Sequence, residues 1–168
     1  MNKKEKLFHD VLKQYSGKIY RLCYAMVYDK SARDDLYQEV LLHLWQSLDR
    51  FRKESDIGTW VYRVTVNTAL SHNRRHKRDQ KIIGGALPAD DGMAATDTIA
   101  EKKEQEQRLE KLHRAIRQLP EADRMLIGFY LEELSYKEIA KIMGISVNHV
   151  GVKMNRAKTK LMKVYNNG

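Results

Sequence analysis

Residues 135–157 constrain this chain more than any other stretch. Ser135-Tyr136-Lys137-Glu138 sets a serine three positions before a glutamate, the pattern in which each side chain caps the other's backbone N–H at a helix start. Ile139, Ala140, Ile142 and Met143 follow at helical spacing, and Gly144-Ile145-Ser146 then breaks the run. Gly144 falls where a helix ends in a positive φ, and Ser146 stands ready to cap the next helix. That last helix turns Val150, Met154, Ala157, Leu161 and Val164 inward. Two short helices joined so tightly can share the core Ile139, Met143, Ile145, Val150 and Met154 only by crossing steeply, with Ala140 small at the crossing. The geometry is a helix-turn-helix, whose second helix presents its outer face to a DNA major groove. Here that face carries Asn148, His149, Lys153 and Arg156, with Lys158 and Lys160 beyond. Asn and Arg match base edges and lysines neutralise phosphates. Ser146 would set the helix N-terminus against the DNA backbone.

The same three- and four-residue steps recur upstream. Phe8, Val11, Leu12, Tyr15, Ile19, Leu22, Cys23 and Met26 predict a helix to about Tyr28. Ser31 is expected to cap a second helix with Asp34 three residues on, an acidic first turn (Asp34, Asp35) and the stripe Leu36, Val40, Leu44 and Leu48. Residues 51–58 read as a polar connection. A third helix then runs from about Thr59 through Val61, Val64 and Ala69 to Arg78. Residues 84–92 collect turn formers without an apolar face and read as a linker. A charged helix over about 98–118 brings in Leu109, Leu112, Ile116 and Leu119 late, and Pro120 ends it. Asp123 is expected to cap the next, which holds Met125, Leu126, Phe129 and Tyr130. With two prolines and no strand-like alternation, the expectation is all-α. It comprises two small helical domains, residues 1–80 and 105–168, joined by a flexible linker over 81–104.

Charge points to a polyanionic partner. The net charge is +9, from 31 Lys+Arg against 22 Asp+Glu, and the excess is localised. Arg63, Arg74, Arg75, His76, Lys77, Arg78 and Lys81 gather in the N-terminal unit, with Phe51, Trp60 and Tyr62 nearby. Basic residues interleaved with aromatics suit nucleic acid whose bases are unstacked. Two such sites on one linker predict recognition of two separated elements. No apolar run approaches the ~20 residues of a spanning helix, and residues 1–6 lack a signal peptide's apolar stretch. The expected location is therefore cytoplasmic, without membrane insertion. One cysteine, Cys23, allows no intrachain disulfide and reads as a core residue. His72 and His76 have the spacing of two metal ligands, but Arg74, Arg75, Lys77 and Arg78 surround them and oppose a dication. Asp35 and Glu39 share a helix face, yet no convergent base, nucleophile or phosphate loop accompanies them. The expectation is a binding protein, not an enzyme, with no metal and no cofactor.

Three segments carry a family resemblance. Residues 34–45, with Asp35, Leu36, Gln38 and Glu39 in a D-L-x-Q-E core, resemble the polymerase-binding helix of the extracytoplasmic-function sigma factors. Thr59-Trp60-Val61-Tyr62-Arg63-Val64-Thr65-Val66-Asn67-Thr68-Ala69 resembles the segment of that family that melts and reads the minus-ten element. Leu119-Pro120, residues 134–140 and Asn155-Arg156-Ala157-Lys158 resemble its minus-thirty-five-reading domain. The resemblance implies that Asp35, Gln38 and Glu39 contact core RNA polymerase. It implies that Asn67 helps hold a flipped-out base near Phe51 and Trp60. Arg74, Arg75 and Arg78 would then track the backbone of the melted region. Promoter DNA, core polymerase and an anti-sigma factor are the partners it implies. The chain departs from the family at His149 and Gly151, where relatives often carry Thr and a basic residue. The competing reading is a helix-turn-helix regulator that binds DNA unaided. An acidic, hydrogen-bonding patch at Asp35–Glu39 on a basic chain suits a protein partner better than DNA.

Overall fold

The structure is a computed structural model that describes residues 1–83 and 100–168. The first unit contains α1 (Lys3–Met26), α2 (Lys30–Ser47), a 3-10 turn (Leu48–Arg50) and α3 (Ile57–Ile83). The second contains α4 (Ala100–Arg117), α5 (Glu121–Leu131), α6 (Tyr136–Met143) and α7 (Val147–Asn167). The described residues contain helices and no strand, as the sequence predicts. The linker expected over 84–92 lies outside the described residues. Residues 81–83 and 100–104, also assigned to it, extend α3 and open α4.

The helix-turn-helix forms for the anticipated local reasons. Ser135 accepts from the Glu138 N–H at 3.1 Å and Glu138 accepts from the Ser135 N–H at 2.7 Å. Gly144 ends α6 at φ +68°, and Ser146 accepts from the His149 N–H at 3.1 Å. Ile139, Val150, Met154 and Ala157 are buried between α6 and α7. The Ser135→Ala change removes one half of a reciprocal cap. It should lower stability by about 1 kcal/mol in urea unfolding followed by helical circular dichroism. No measurable loss would show that the cap contributes nothing.

Two helix starts differ from expectation. Asp29, not Ser31, caps α2, accepting from the Ala32 N–H at 2.8 Å. Its first turn is therefore not acidic. Asp34 lies a turn later, where it accepts from Tyr20 Oη at 3.2 Å and Lys30 Nζ at 3.2 Å. Likewise Pro120, not Asp123, precedes α5, a position where a missing N–H costs no helix hydrogen bond. Asp123 sits inside α5, buried, and accepts from Lys160 of α7 at 2.7 Å. Asp123 is thus engaged by Lys160 instead of the helix start, and no side chain caps α5.

The two units pack into one continuous core. α1 lies against α5 and α3 against α6. Gly128 permits the close α1–α5 approach, because a Cβ there would meet Leu22 at 3.3 Å and Ala25 at 3.4 Å. The last carbonyls of α1, which no helical N–H can satisfy, receive donors from elsewhere. Asn73 donates to Met26 O at 3.2 Å, and Arg124 of the second unit donates to Ala25 O at 3.2 Å.

Candidate nucleic-acid interface

The cleft at the start of α3 is built by a basic turn. Arg50, Phe51, Arg52 and Lys53 leave the 3-10 turn, and Lys53 bends the chain at φ +58°. Asp56 then accepts from the Gly58 N–H at 3.0 Å and starts α3. Gly58 has no room for a side chain: a Cβ would lie 2.8 Å from the Tyr15 hydroxyl. The result is an open cleft of about 840 Å³ walled by Arg50, Arg52, Thr59, Arg63 and the tilted Phe51–Trp60 ring pair, centroids 5.1 Å apart. Such a site can stack a base against an aromatic face and neutralise the adjoining phosphates. Asn67, one helical turn beyond Arg63, is exposed. Tyr62, grouped with these aromatics in the sequence reading, is instead core, and burial pushes its hydroxyl up to about 12. Periodicity alone could not separate it from Trp60. The run Arg50-Phe51-Arg52-Lys53 is the signal that would have located the cleft's basic rim.

One wall of the cleft comes from the second unit. Lys141 of α6 lines it, and Arg63 donates to the Lys141 carbonyl through Nε at 3.0 Å and also through Nη2. Arg63 is thus held, not free.

The acidic patch lies on α2. Asp35 and Gln38 are exposed, while Leu36 and Val40 on the opposite side are fully buried. Glu39 is half-buried and accepts from Arg75 of α3 at 2.5 Å and meets His72 Nδ1 at 3.4 Å. Burial alone would raise the Glu39 carboxyl, but the Arg75 guanidinium and His72 hold it below the usual range. The sequence reading assigned Glu39 and Arg75 to different surfaces; the structure joins them at a groove also lined by His43, Ser71, Arg74 and Arg78. Arg74 and Arg78 are exposed there. His72 and His76 stack face to face, centroids 6.5 Å apart, with His72 turned to Glu39. Among the described residues no cluster of metal-ligating side chains occurs. Burial pushes the Cys23 thiol up to about 12, which leaves it inert.

On α7, Asn148, His149 and Arg156 are exposed and Lys153 is half-buried, on the face away from Val150 and Met154. Ser146 is exposed at the helix start. Lys158 and Lys160 are engaged within their own unit: Lys158 lies 3.9 Å above the Tyr130 ring, and Lys160 bonds Asp123. No helix among the described residues is long and apolar enough to cross a membrane.

Comparison with known proteins follows this layout. Residues 11–79 match the family model for Sigma-70 region 2, and residues 109–161 match that for Sigma-70, region 4. The sequence is 28% identical over 176 residues to the ECF RNA polymerase sigma factor SigW of Bacillus subtilis, covering 93% of this chain and 87% of the relative. It is 31% identical to the ECF RNA polymerase sigma-E factor of Haemophilus influenzae, covering 92% and 85%. The fold is similar to that of the sigma factor RpoE from Bartonella quintana, solved in complex with the anti-sigma factor NepR. There the TM-score is 0.76 at 19% identity, over 96% of this chain and 98% of that one. It is also similar to CnrH in complex with the cytosolic domain of CnrY, with a TM-score of 0.67 at 18% identity over 97% and 90%.

Proposed function

Because the chain belongs to the extracytoplasmic-function RNA polymerase sigma factors of the sigma-70 family, which direct promoter-specific transcription initiation, we propose that its three surfaces divide that work. Asp35, Gln38 and Glu39 of α2 bind core polymerase. The cleft of Phe51, Trp60 and Arg63, with Asn67 beside it, takes an unstacked base of the minus-ten element. Arg74, Arg75 and Arg78 follow the adjoining phosphates. Ser146, Asn148, His149, Lys153 and Arg156 read the minus-thirty-five element in the major groove. The boundaries 1–80 and 105–168 for these two readers are part of the proposal. The protein performs no chemistry itself. Its binding energy comes from phosphate neutralisation, base contacts and stacking. It acts where the polymerase is, in the cytoplasm, and an anti-sigma factor is its expected inhibitor, as RpoE of Bartonella quintana is solved in complex with the anti-sigma factor NepR.

One observation carries this reading: Asp35 and Gln38 stand exposed on one face of α2, an anionic and hydrogen-bonding surface on a chain of net charge +9. A regulator that binds DNA unaided has no use for that face. Co-purification with bacterial core polymerase tests the point, and stable association is expected. Tight binding to duplex DNA without any association with core would favour the stand-alone regulator. In the assembled holoenzyme, Asn67→Ala should lower open-complex formation about tenfold, the scale of one lost base contact. Core affinity should stay unchanged. Equal losses in both steps would refute the division of labour.

A further inference from the structure

α7 carries an apolar side chain where its neighbours are polar. Val152 is 43% exposed, although an apolar group gains nothing from contact with water. Being β-branched, valine is also a weaker helix former than the residues that usually fill an exposed turn. At about 100° per residue, Val152 lies about 200° round the helix from Val150 and about 160° from Met154, both fully buried. It is therefore the centre of the outer face, the side that a helix-turn-helix turns to the floor of a major groove. His149 and Lys153 lie nearer the buried stripe and stand on the flank.

The residues around Val152 are graded by length. Asn148 lies one turn before it and Asn155 nearly one turn after, both exposed, and Gly151 beside it has no side chain. A Cβ at Gly151 would meet nothing nearer than the Tyr136 ring at 3.8 Å. Packing therefore does not demand glycine there, and glycine weakens a helix relative to alanine. Short side chains down the middle let the helix axis come close to base edges. The long cations Lys153 and Arg156 stand to one side, within reach of phosphates. The side chains of Asn148, Asn155 and Arg156 make no hydrogen bond or ion pair with another described residue, whereas Lys158 and Lys160 are engaged within their own unit.

Thymine is the one base that offers an apolar group to this groove, its 5-methyl. We infer that Val152 selects a thymine in the DNA that α7 reads: the 5-methyl packs on the Val152 methyls, while Asn148 pairs with N6 and N7 of an adenine a short way along. Four residues of helix advance about 6 Å, which places the two contacts about two base pairs apart at ~3.4 Å per pair. Cytosine in the same place sets its amino donor beside Val152, and a purine sets acceptors there, groups that valine cannot pair. This selectivity comes from an apolar contact, beside the hydrogen-bonding residues already assigned. It rests on the major-groove reading of α7 proposed above.

The full-length chain, assembled with bacterial core polymerase, is offered duplexes randomised across the minus-thirty-five element, and the bound fraction is sequenced. Wild type should enrich a site with a required T·A pair. Val152→Ser should lose the preference at that pair and keep it elsewhere. Because Val152 is exposed, helical circular dichroism should not change. In the enriched duplex the thymine is then replaced by uracil, which removes only the 5-methyl. Wild-type affinity should fall about fourfold, or ~0.8 kcal/mol for one buried methyl at ~1.4 kcal/mol per tenfold. Val152→Ser should bind the two duplexes alike, and Val152→Ile, which keeps an apolar tip, should retain the discrimination. No loss for wild type at any thymine of the site overturns the inference, as does a uracil penalty that survives in Val152→Ser. If the chain fails to join core, the sigma-factor reading falls. The same selection is then run with the chain alone, since α7 reads the groove for a stand-alone regulator too. Absence of any enriched sequence in both formats overturns the major-groove reading and the Val152 contact with it.

Discussion

Phe129→Ala is expected to lower the unfolding free energy by about 3–5 kcal/mol, the largest single-residue loss in this chain. Phe129 is fully buried, and it serves two packings at once. It lies in the core of the second unit with Leu126, Ile139 and Met154, and its ring meets Tyr62 of α3 at 6.2 Å. Truncation removes the ring's transfer free energy and leaves a cavity that helices from both units cannot easily close. Urea unfolding followed by circular dichroism measures the loss. A loss below about 1 kcal/mol would mean that the site collapses freely and that the ring is not enclosed as the structure has it.

Glu39→Lys should weaken association with core polymerase at least about thirtyfold, the low end of the 2–5 kcal/mol scale for a lost charge pair at an interface. The argument has two parts. Reversal removes an acceptor from the proposed polymerase-binding face beside Asp35 and Gln38. It also places an ammonium against Arg75 and His72, which now hold the Glu39 carboxylate in one orientation. Those contributions are separable. Glu39→Lys combined with Arg75→Glu restores a local ion pair while keeping the reversed charge on α2. If Glu39 contacts polymerase directly, the pair of changes remains defective in a co-purification assay. If the double variant binds as wild type does, Glu39 acts only by bracing α2 against α3, and its assignment to the polymerase surface falls.

Much of this fold was legible because it is local. The Ser135–Glu138 box, the left-handed Gly144 and the Ser146 cap each link residues a few positions apart, within reach of chemistry that the sequence spells out. The stripes Leu36–Val40–Leu44–Leu48 and Val150–Met154–Ala157 are buried as their spacing requires. Local reasoning failed where more than one role or residue fitted a helix start. Asp29 and Ser31 both suit a cap, and Asp123 suits one as well as it suits an ion pair with Lys160. It failed also at Tyr62, whose ring has the same helical spacing as a surface aromatic but lies beneath α5.

By itself, then, the sequence determined which segments are helical, most of the faces that turn inward and where positive charge gathers. Those properties follow from hydrogen bonds and side-chain periodicity within one or two turns. Tertiary structure alone decided that Glu39 is paired with Arg75, that Arg63 is tied to Lys141 and that Arg21 holds Glu132. These partners lie 36, 78 and 111 positions apart. No periodic pattern records which helices meet. Their contact depends on how closely α1 and α5 approach at Gly128, and that distance is set by the packing of the whole core.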